Sequence, residues 1–244
     1  MALAMLLIPT LPGVAWAVRW GPPRSRWSLV EVVAAFAYFV GLAGLAGGAA
    51  SLWLTGDMMP DASALVPGVL GTAHASVMVS VLVLRRARGG PLGLGGAPPW
   101  AWGAAIAAVP LFLAVSASWA WLVEALGWGF EPQHLLMALS DAPLHDRIAI
   151  LGYGAVGAPL VEELLFRGFL LPPLERHAGR TSAIVAGGAA FGVVHLTDPI
   201  AVVPLVILGV GLAWLRMRSG SIWPGVAVHV TNNAIALWVG LHAG

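Results

Sequence analysis

Long apolar stretches recur along this chain of 244 residues, and they limit its fold more than any other feature. A helix needs about 20 mostly apolar residues to cross the hydrocarbon core of a bilayer, where each backbone polar group must be paired within the protein. Hydrophobic residues make up 59% of the sequence and charged residues 9%, whereas about 25% of the residues in an ordinary soluble domain are charged. The sequence therefore predicts an all-α, polytopic transmembrane helical bundle.

Eight stretches are long and apolar enough to be spans, and the connections between them are too short to hold a soluble domain. They lie near residues 2–18, 29–54, 62–84, 99–125, 147–172, 181–197, 199–216 and 222–242. A tight turn is expected at Asp198 and Pro199, which separate the sixth stretch from the seventh. All the basic residues except Arg147 and Arg167 fall in alternate connections, and positive residues accumulate on the cytoplasmic side. This pattern agrees with eight spans and with both termini outside.

The composition also excludes several classes of function. Cysteine is absent, so disulfides, thiolate metal ligands and a cysteine nucleophile are excluded. The net charge is +1 and no basic run occurs, so no nucleic-acid partner is expected. Every basic residue is arginine, and the chain is rich in Ala, Gly and Trp. This bias is typical of a GC-rich bacterial genome, and it predicts an integral protein of the bacterial cytoplasmic membrane.

Three charged side chains interrupt the fifth apolar stretch. An ionised side chain near the bilayer centre costs at least ~2.5–3.5 kcal/mol, so such residues usually face the protein interior and mark a functional site. Glu163 and Arg167 are four residues apart, which allows an ion pair on one helix face. Glu162 points ~100° away from Glu163, so it needs a partner from another helix. Pro159, just before it, is expected to kink the helix.

Polar residues of two later stretches are the candidate partners of Glu162. His195 lies on the sixth stretch, and His229 and Asn233 lie four residues apart on the eighth, where they share a helix face. Counted from the cytoplasmic ends of their stretches, these side chains have compatible depths and are expected to meet near the bilayer midplane. An isolated histidine such as His74 is instead expected to be a packing residue.

Such a set of side chains can hydrolyse a peptide bond. A carboxylate and an imidazole can remove a proton from water as it attacks a carbonyl, while a second imidazole and an amide stabilise the oxyanion. One Glu and two His can also bind catalytic zinc, although the His-Glu-x-x-His pattern of many zinc proteases is missing. Buried Glu and His residues are typical of proton-coupled transporters as well. A zinc-dependent membrane protease, a transporter and a non-catalytic immunity factor therefore stay open as alternatives.

Three motifs then carry a resemblance to a known family. Residues 147–242 resemble the CPBP family of intramembrane glutamic endopeptidases, which includes type II CAAX prenyl endopeptidases. The matching motifs are Glu162-Glu163-x-x-x-Arg167, Phe191-x-x-x-His195 and His229-x-x-x-Asn233. The resemblance implies one integrated membrane domain, in which N-terminal helices at 1–146 precede a catalytic core at 147–244.

The resemblance also implies a role for each motif residue. Glu162 and His195 would activate water, and His229 and Asn233 would bind the oxyanion, while supporting roles fall to Glu163, Arg167 and Phe191. No cofactor or metal is implied. The expected substrate is a membrane-anchored protein or peptide that is cleaved near its C-terminus or leader, and that carries, for example, a C-terminal sorting signal. Membrane lipid is the other expected partner, and the oligomeric state is left open.

Overall fold

The computed structural model describes residues 92–128, 144–196 and 198–242, together with scattered positions between 30 and 78. These residues form helices and the turns that join them, and this part of the chain contains no strand. The prediction of an all-α fold is confirmed for it. Apart from the scattered positions, the spans predicted at 2–18, 29–54 and 62–84 lie outside the described residues, as does His74. The division of the chain at residue 146 stays a prediction.

Between residues 92 and 242 the structure describes seven α-helices and two π-helical segments. The α-helices are α1 Pro99–Ala125, α2 Leu144–Gly152, α3 Ala158–Glu163, α4 Leu171–Ala178, α5 Arg180–Val193, α6 Val202–Ser219 and α7 Trp223–His242. The π segments cover Tyr153–Gly157, between α2 and α3, and Leu164–Leu170, between α3 and α4, so that residues 144–178 form one long helical rod.

Prolines explain why the rod from Leu144 to Ala178 contains π turns. A proline cannot donate the α-helical hydrogen bond, and its ring clashes with the carbonyl four residues earlier. Pro159 and Pro172 each follow a π segment, and the carbonyl that each would meet lies inside that segment. The residue after each segment donates its N–H to the carbonyl five residues back, which widens the turn. The kink predicted at Pro159 thus takes the form of a π segment.

The connection between α5 and α6 is longer than the sequence predicted. α5 ends at Val193 and α6 begins at Val202, so residues 194–201 join them. Asp198 accepts a hydrogen bond from the N–H of Ala201 through Oδ1 at 3.3 Å, and it precedes a proline, which disfavours helix at Asp198 itself. His195 therefore lies in this connection. Its predicted place within an apolar helix was wrong, because apolarity continues beyond the point where the helix ends.

Close packing of α5 on α6 brings the later helices against the rod. A Cβ atom on Gly209 would lie 2.9 Å from Cα of Gly188, so these two backbones touch and neither position has room for a side chain. Phe191 follows Gly188 by about one turn and is fully buried. α7 packs against α1, α3 and the first π segment. The rod is thus in contact with both α5 and α7.

The surface and the interior of the bundle have the polarity of a membrane protein. Large apolar side chains such as Ile106 and Trp121 are exposed, whereas Glu163 and Arg167 are buried. By length and composition, α1 and α6 are the two described helices that could cross a membrane. The structure thus fits a membrane protein, and eight spans stay a prediction.

Candidate active site

A fully buried ion pair connects the rod with α5 and α6. Glu163 and Arg167 are each 1% exposed, and Nη1 of Arg167 lies 2.9 Å from Oε1 of Glu163. This contact is an ion pair without the alignment of a hydrogen bond. Nη2 of Arg167 donates a hydrogen bond to the carbonyl oxygen of Gly209 at 3.1 Å. Cζ of Arg167 lies 4.6 Å from the ring centroid of Phe191, so the charge is held by an anion, a carbonyl and an aromatic face.

His229 of α7 lies between the two adjacent glutamates. Its Nδ1 is 3.2 Å from Oε1 of Glu163, and its Nε2 is 3.7 Å from Oε2 of Glu162. The first distance is that of a hydrogen bond, and the second is longer than the usual 2.7–3.2 Å. His229 is 2% exposed and Glu162 is 17% exposed. The imidazole thus presents one nitrogen to the buried ion pair and the other to the more accessible carboxylate.

This arrangement fixes the orientation of the His229 ring. A carboxylate oxygen accepts hydrogen bonds, so the proton of the contact with Glu163 resides on Nδ1 of His229. Glu163 is held in turn by Arg167, which is bound to the backbone of α6. Nε2 of His229 is consequently directed to Glu162 by a chain of contacts that extends over three helices.

The ring of Phe191 contacts both histidines. Its ring centroid lies 5.0 Å from that of His195 and 5.4 Å from that of His229. The distance between the two imidazole centroids therefore cannot exceed the sum of these two distances. Nδ1 of His195 lies 2.7 Å from the carbonyl oxygen of Phe191, to which it must donate because a carbonyl only accepts. Nε2 of His195 is then the nitrogen with the lone pair.

Asn233 is hydrogen-bonded to the backbone of the first π segment. Its Nδ2 donates a hydrogen bond to the carbonyl oxygen of Gly154 at 3.1 Å. A side-chain amide has two N–H groups on this nitrogen, so one further donor is left. Asn233 lies one turn beyond His229 on α7, at the place where α7 meets the rod.

The structure brings some of the sequence-predicted residues together more closely than others. Direct contacts join Glu162, Glu163 and Arg167 with His229 and Phe191. His195 joins this group through the Phe191 ring, and Asn233 donates its hydrogen bond to the backbone of Gly154. No three His, Asp or Glu side chains among the described residues are arranged to hold a metal ion.

Two glycines of the site were not predicted from the sequence. A Cβ atom on Gly225 would lie 3.0 Å from Oε2 of Glu163, so the absence of a side chain leaves room for that carboxylate. Gly209 supplies the carbonyl that binds Arg167. Glycines let membrane helices pack closely in general. Which glycines border a charged group depends on how the helices are placed against each other.

The fold and the site define a helical membrane protein with a buried Glu–Arg–His cluster beside a second, more accessible glutamate. Residues 144–235 match the family model of the Type II CAAX prenyl endopeptidase Rce1-like family. This match supports a CAAX protease-like domain in that region, and the matched family is one of membrane-embedded proteases. The resemblance seen in the three motifs is thereby confirmed. No curated protein and no solved structure matched the chain.

Proposed function

We propose that this protein is an intramembrane glutamic-type endopeptidase in which Glu162 activates the hydrolytic water. The observation that carries this proposal is the different environment of the two adjacent glutamates. Glu163 is 1% exposed and its Oε1 already contacts Arg167 and His229. Glu162 is 17% exposed, and Oε2 faces Nε2 of His229 across 3.7 Å. Glu162 is therefore the more accessible of the two carboxylates, whereas Glu163 is the one in direct contact with the guanidinium of Arg167.

The proposed reaction uses the side chains that surround this carboxylate. Glu162, assisted by Nε2 of His195, accepts a proton from water as the water oxygen bonds to the carbonyl carbon of the substrate. His229, when it carries a proton on Nε2, and the second N–H of Asn233 donate hydrogen bonds to the oxyanion. The C–N bond then breaks, and the carboxyl group of Glu162 returns the proton to the leaving amine. No cofactor other than water takes part.

The proposed substrate is a membrane-anchored protein or peptide, cleaved near its C-terminus or leader. The exposed apolar surface of the bundle and the family of the chain support a client that reaches the site from the lipid phase. A C-terminal sorting helix and a bacteriocin leader both have this character. The composition supports the bacterial cytoplasmic membrane as the location.

Purified protein in liposomes tests this proposal against its alternatives. The probes are internally quenched peptides, each made with and without a lipid anchor near its C-terminus, and mass spectrometry maps the cleavage. We expect cleavage of anchored peptides at one bond, with ¹⁸O from labelled water in the new carboxyl group. Proton or solute uptake without cleavage would support the transporter, and neither activity would support a non-catalytic protein. Both results contradict the proposal.

A further inference from the structure

A tryptophan outside the family match contacts the segment that carries His195. Nε1 of Trp119, near the end of α1, donates a hydrogen bond to the carbonyl oxygen of Ile200 at 2.7 Å. The two residues are 81 positions apart in the chain. Ile200 belongs to the connection 194–201, whereas α1 precedes residues 144–235, the part that matches the family model. This hydrogen bond therefore links the N-terminal part of the protein to the proposed catalytic part.

The sequence of α6 explains why the Ile200 carbonyl can accept this bond. In an α-helix the carbonyl of residue 200 would accept from the N–H of residue 204, but residue 204 is Pro204, which has no N–H. A carbonyl left without its donor at the edge of an apolar bundle is costly unless another group supplies one. The indole N–H of Trp119 is that donor.

A series of backbone hydrogen bonds runs from Ala201, the residue after Ile200, back to His195. The N–H of Asp198 donates to the carbonyl of His195 at 2.9 Å, and the N–H of Ala201 donates to the carbonyl of Asp198 at 3.1 Å. The N–H of His195 donates to the carbonyl of Gly192 at 3.0 Å. These bonds join His195 to Asp198 and Asp198 to Ala201, the neighbour of Ile200, so a displacement of Ile200 is expected to reach the histidine.

We propose that Trp119 is a positioning residue for His195, and that it acts by holding the 194–201 connection through the Ile200 carbonyl that Pro204 leaves without a helical donor. This inference rests on the proposed function, in which His195 assists water activation. It assigns a part in catalysis to α1, beyond the matched region. Trp119 itself touches no reacting atom.

The matched pair Trp119→Phe and Trp121→Phe tests this inference. Both changes keep an aromatic ring on the same helix and remove one indole N–H, but Trp121 is 69% exposed. With a lipid-anchored quenched peptide that the parent protein cleaves, Trp119→Phe should lower kcat by about ten- to a hundredfold, since a misplacement of ~1 Å can cost about 10²-fold in rate. KM should stay within twofold, and Trp121→Phe should leave both constants unchanged. A Trp119→Phe protein with parental kcat would overturn the inference.

A second readout does not depend on catalysis. In protein labelled with ¹⁵N-histidine, the imidazole signal of His195 is assigned by its loss in His195→Gln. Trp119→Phe should shift or broaden this signal, and Trp121→Phe should not. An unchanged His195 signal in Trp119→Phe would overturn the inference. Activity that persists in Glu162→Gln or His195→Gln would instead contradict the proposed function, and it would leave this readout unaffected.

Restoring the missing helical donor supplies a rescue. Pro204→Ala gives residue 204 an N–H that can bond the Ile200 carbonyl, so it should return most of the lost kcat and the parental His195 signal to the Trp119→Phe protein. The same change in the parent should have little effect on either. If Pro204→Ala failed to rescue and itself lowered the rate to the same extent in both backgrounds, Trp119 would not act through this carbonyl.

Discussion

Replacement of the buried Glu163 by glutamine should destabilise the protein far more than removal of a carboxylate from the protein surface would. The change keeps the size of the side chain but leaves the guanidinium of Arg167, which is 1% exposed, without the carboxylate that contacts it. Leaving one member of a buried ion pair unpaired costs about 3–5 kcal/mol. The carbonyl of Gly209 still accepts from Arg167 and solvates part of the charge, so the lower end of this range is expected.

The chain contains a matched pair for comparison. Arg180 and Glu175 are 3.2 Å apart, and their side chains are 54% and 36% exposed. An exposed pair of this kind contributes about 0–1 kcal/mol, so Glu175→Gln should change stability little. Both variants remove one carboxylate from an ion pair within the region of the family match, and they differ in burial.

Unfolding in detergent, followed by circular dichroism against temperature and added denaturing detergent, measures both effects. Glu163→Gln should lower the free energy of unfolding by about 3 kcal/mol or more, and the double variant with Arg167→Met should recover a large part of the loss, because it removes the stranded charge. The reasoning is refuted if Glu163→Gln is no more destabilising than Glu175→Gln, or if the double variant is less stable than Glu163→Gln alone.

Three further outcomes follow from the geometry of the site. Gly225→Ala places a methyl group 3.0 Å from Oε2 of Glu163 and should lower activity and thermal stability together, whereas Gly103→Ala, with open space at the Cβ position, should change neither. Asn233→Ala removes the hydrogen bond to Gly154 and the proposed oxyanion donor, and should lower kcat by roughly 10²–10³ in the peptide assay; a rate within threefold of the parent would exclude that role. Cleavage should persist after dialysis against a strong chelator, and loss of activity that zinc restores would instead support the zinc-dependent alternative.

The fold could be predicted from the sequence where apolarity and local signals coincide. α1 covers the predicted residues 99–125, because Pro99 opens it and Gly127, in a left-handed conformation, follows its end. The rod was predicted too short at 147–172, since its last turn is amphipathic and the helix continues to the glycine at position 179. An apolar composition identifies the segments that can lie in lipid, whereas the ends of a helix are determined by proline, glycine and capping residues.

The candidate site shows a similar division. The spacing of Glu163 and Arg167 predicted their ion pair, because both residues lie on one helix. The contact of Glu163 with His229 could not be predicted in this way, because it depends on how α7 packs against the rod. The same holds for Trp119, whose acceptor is a backbone carbonyl of a distant turn. Patterns within one helix are local, whereas contacts between helices depend on the tertiary arrangement.

The most direct test of the account is the single-turnover cleavage rate of Glu162→Gln, measured beside Glu124→Gln, an exposed carboxylate variant at the end of α1. Glutamine keeps the shape of residue 162 but cannot accept the proton of water. We expect the cleavage rate of Glu162→Gln to fall by about 10²–10⁴ while its unfolding temperature stays close to that of the parent, and Glu124→Gln to keep the parental rate. Full activity of a folded Glu162→Gln protein would contradict the claim that Glu162 activates the water.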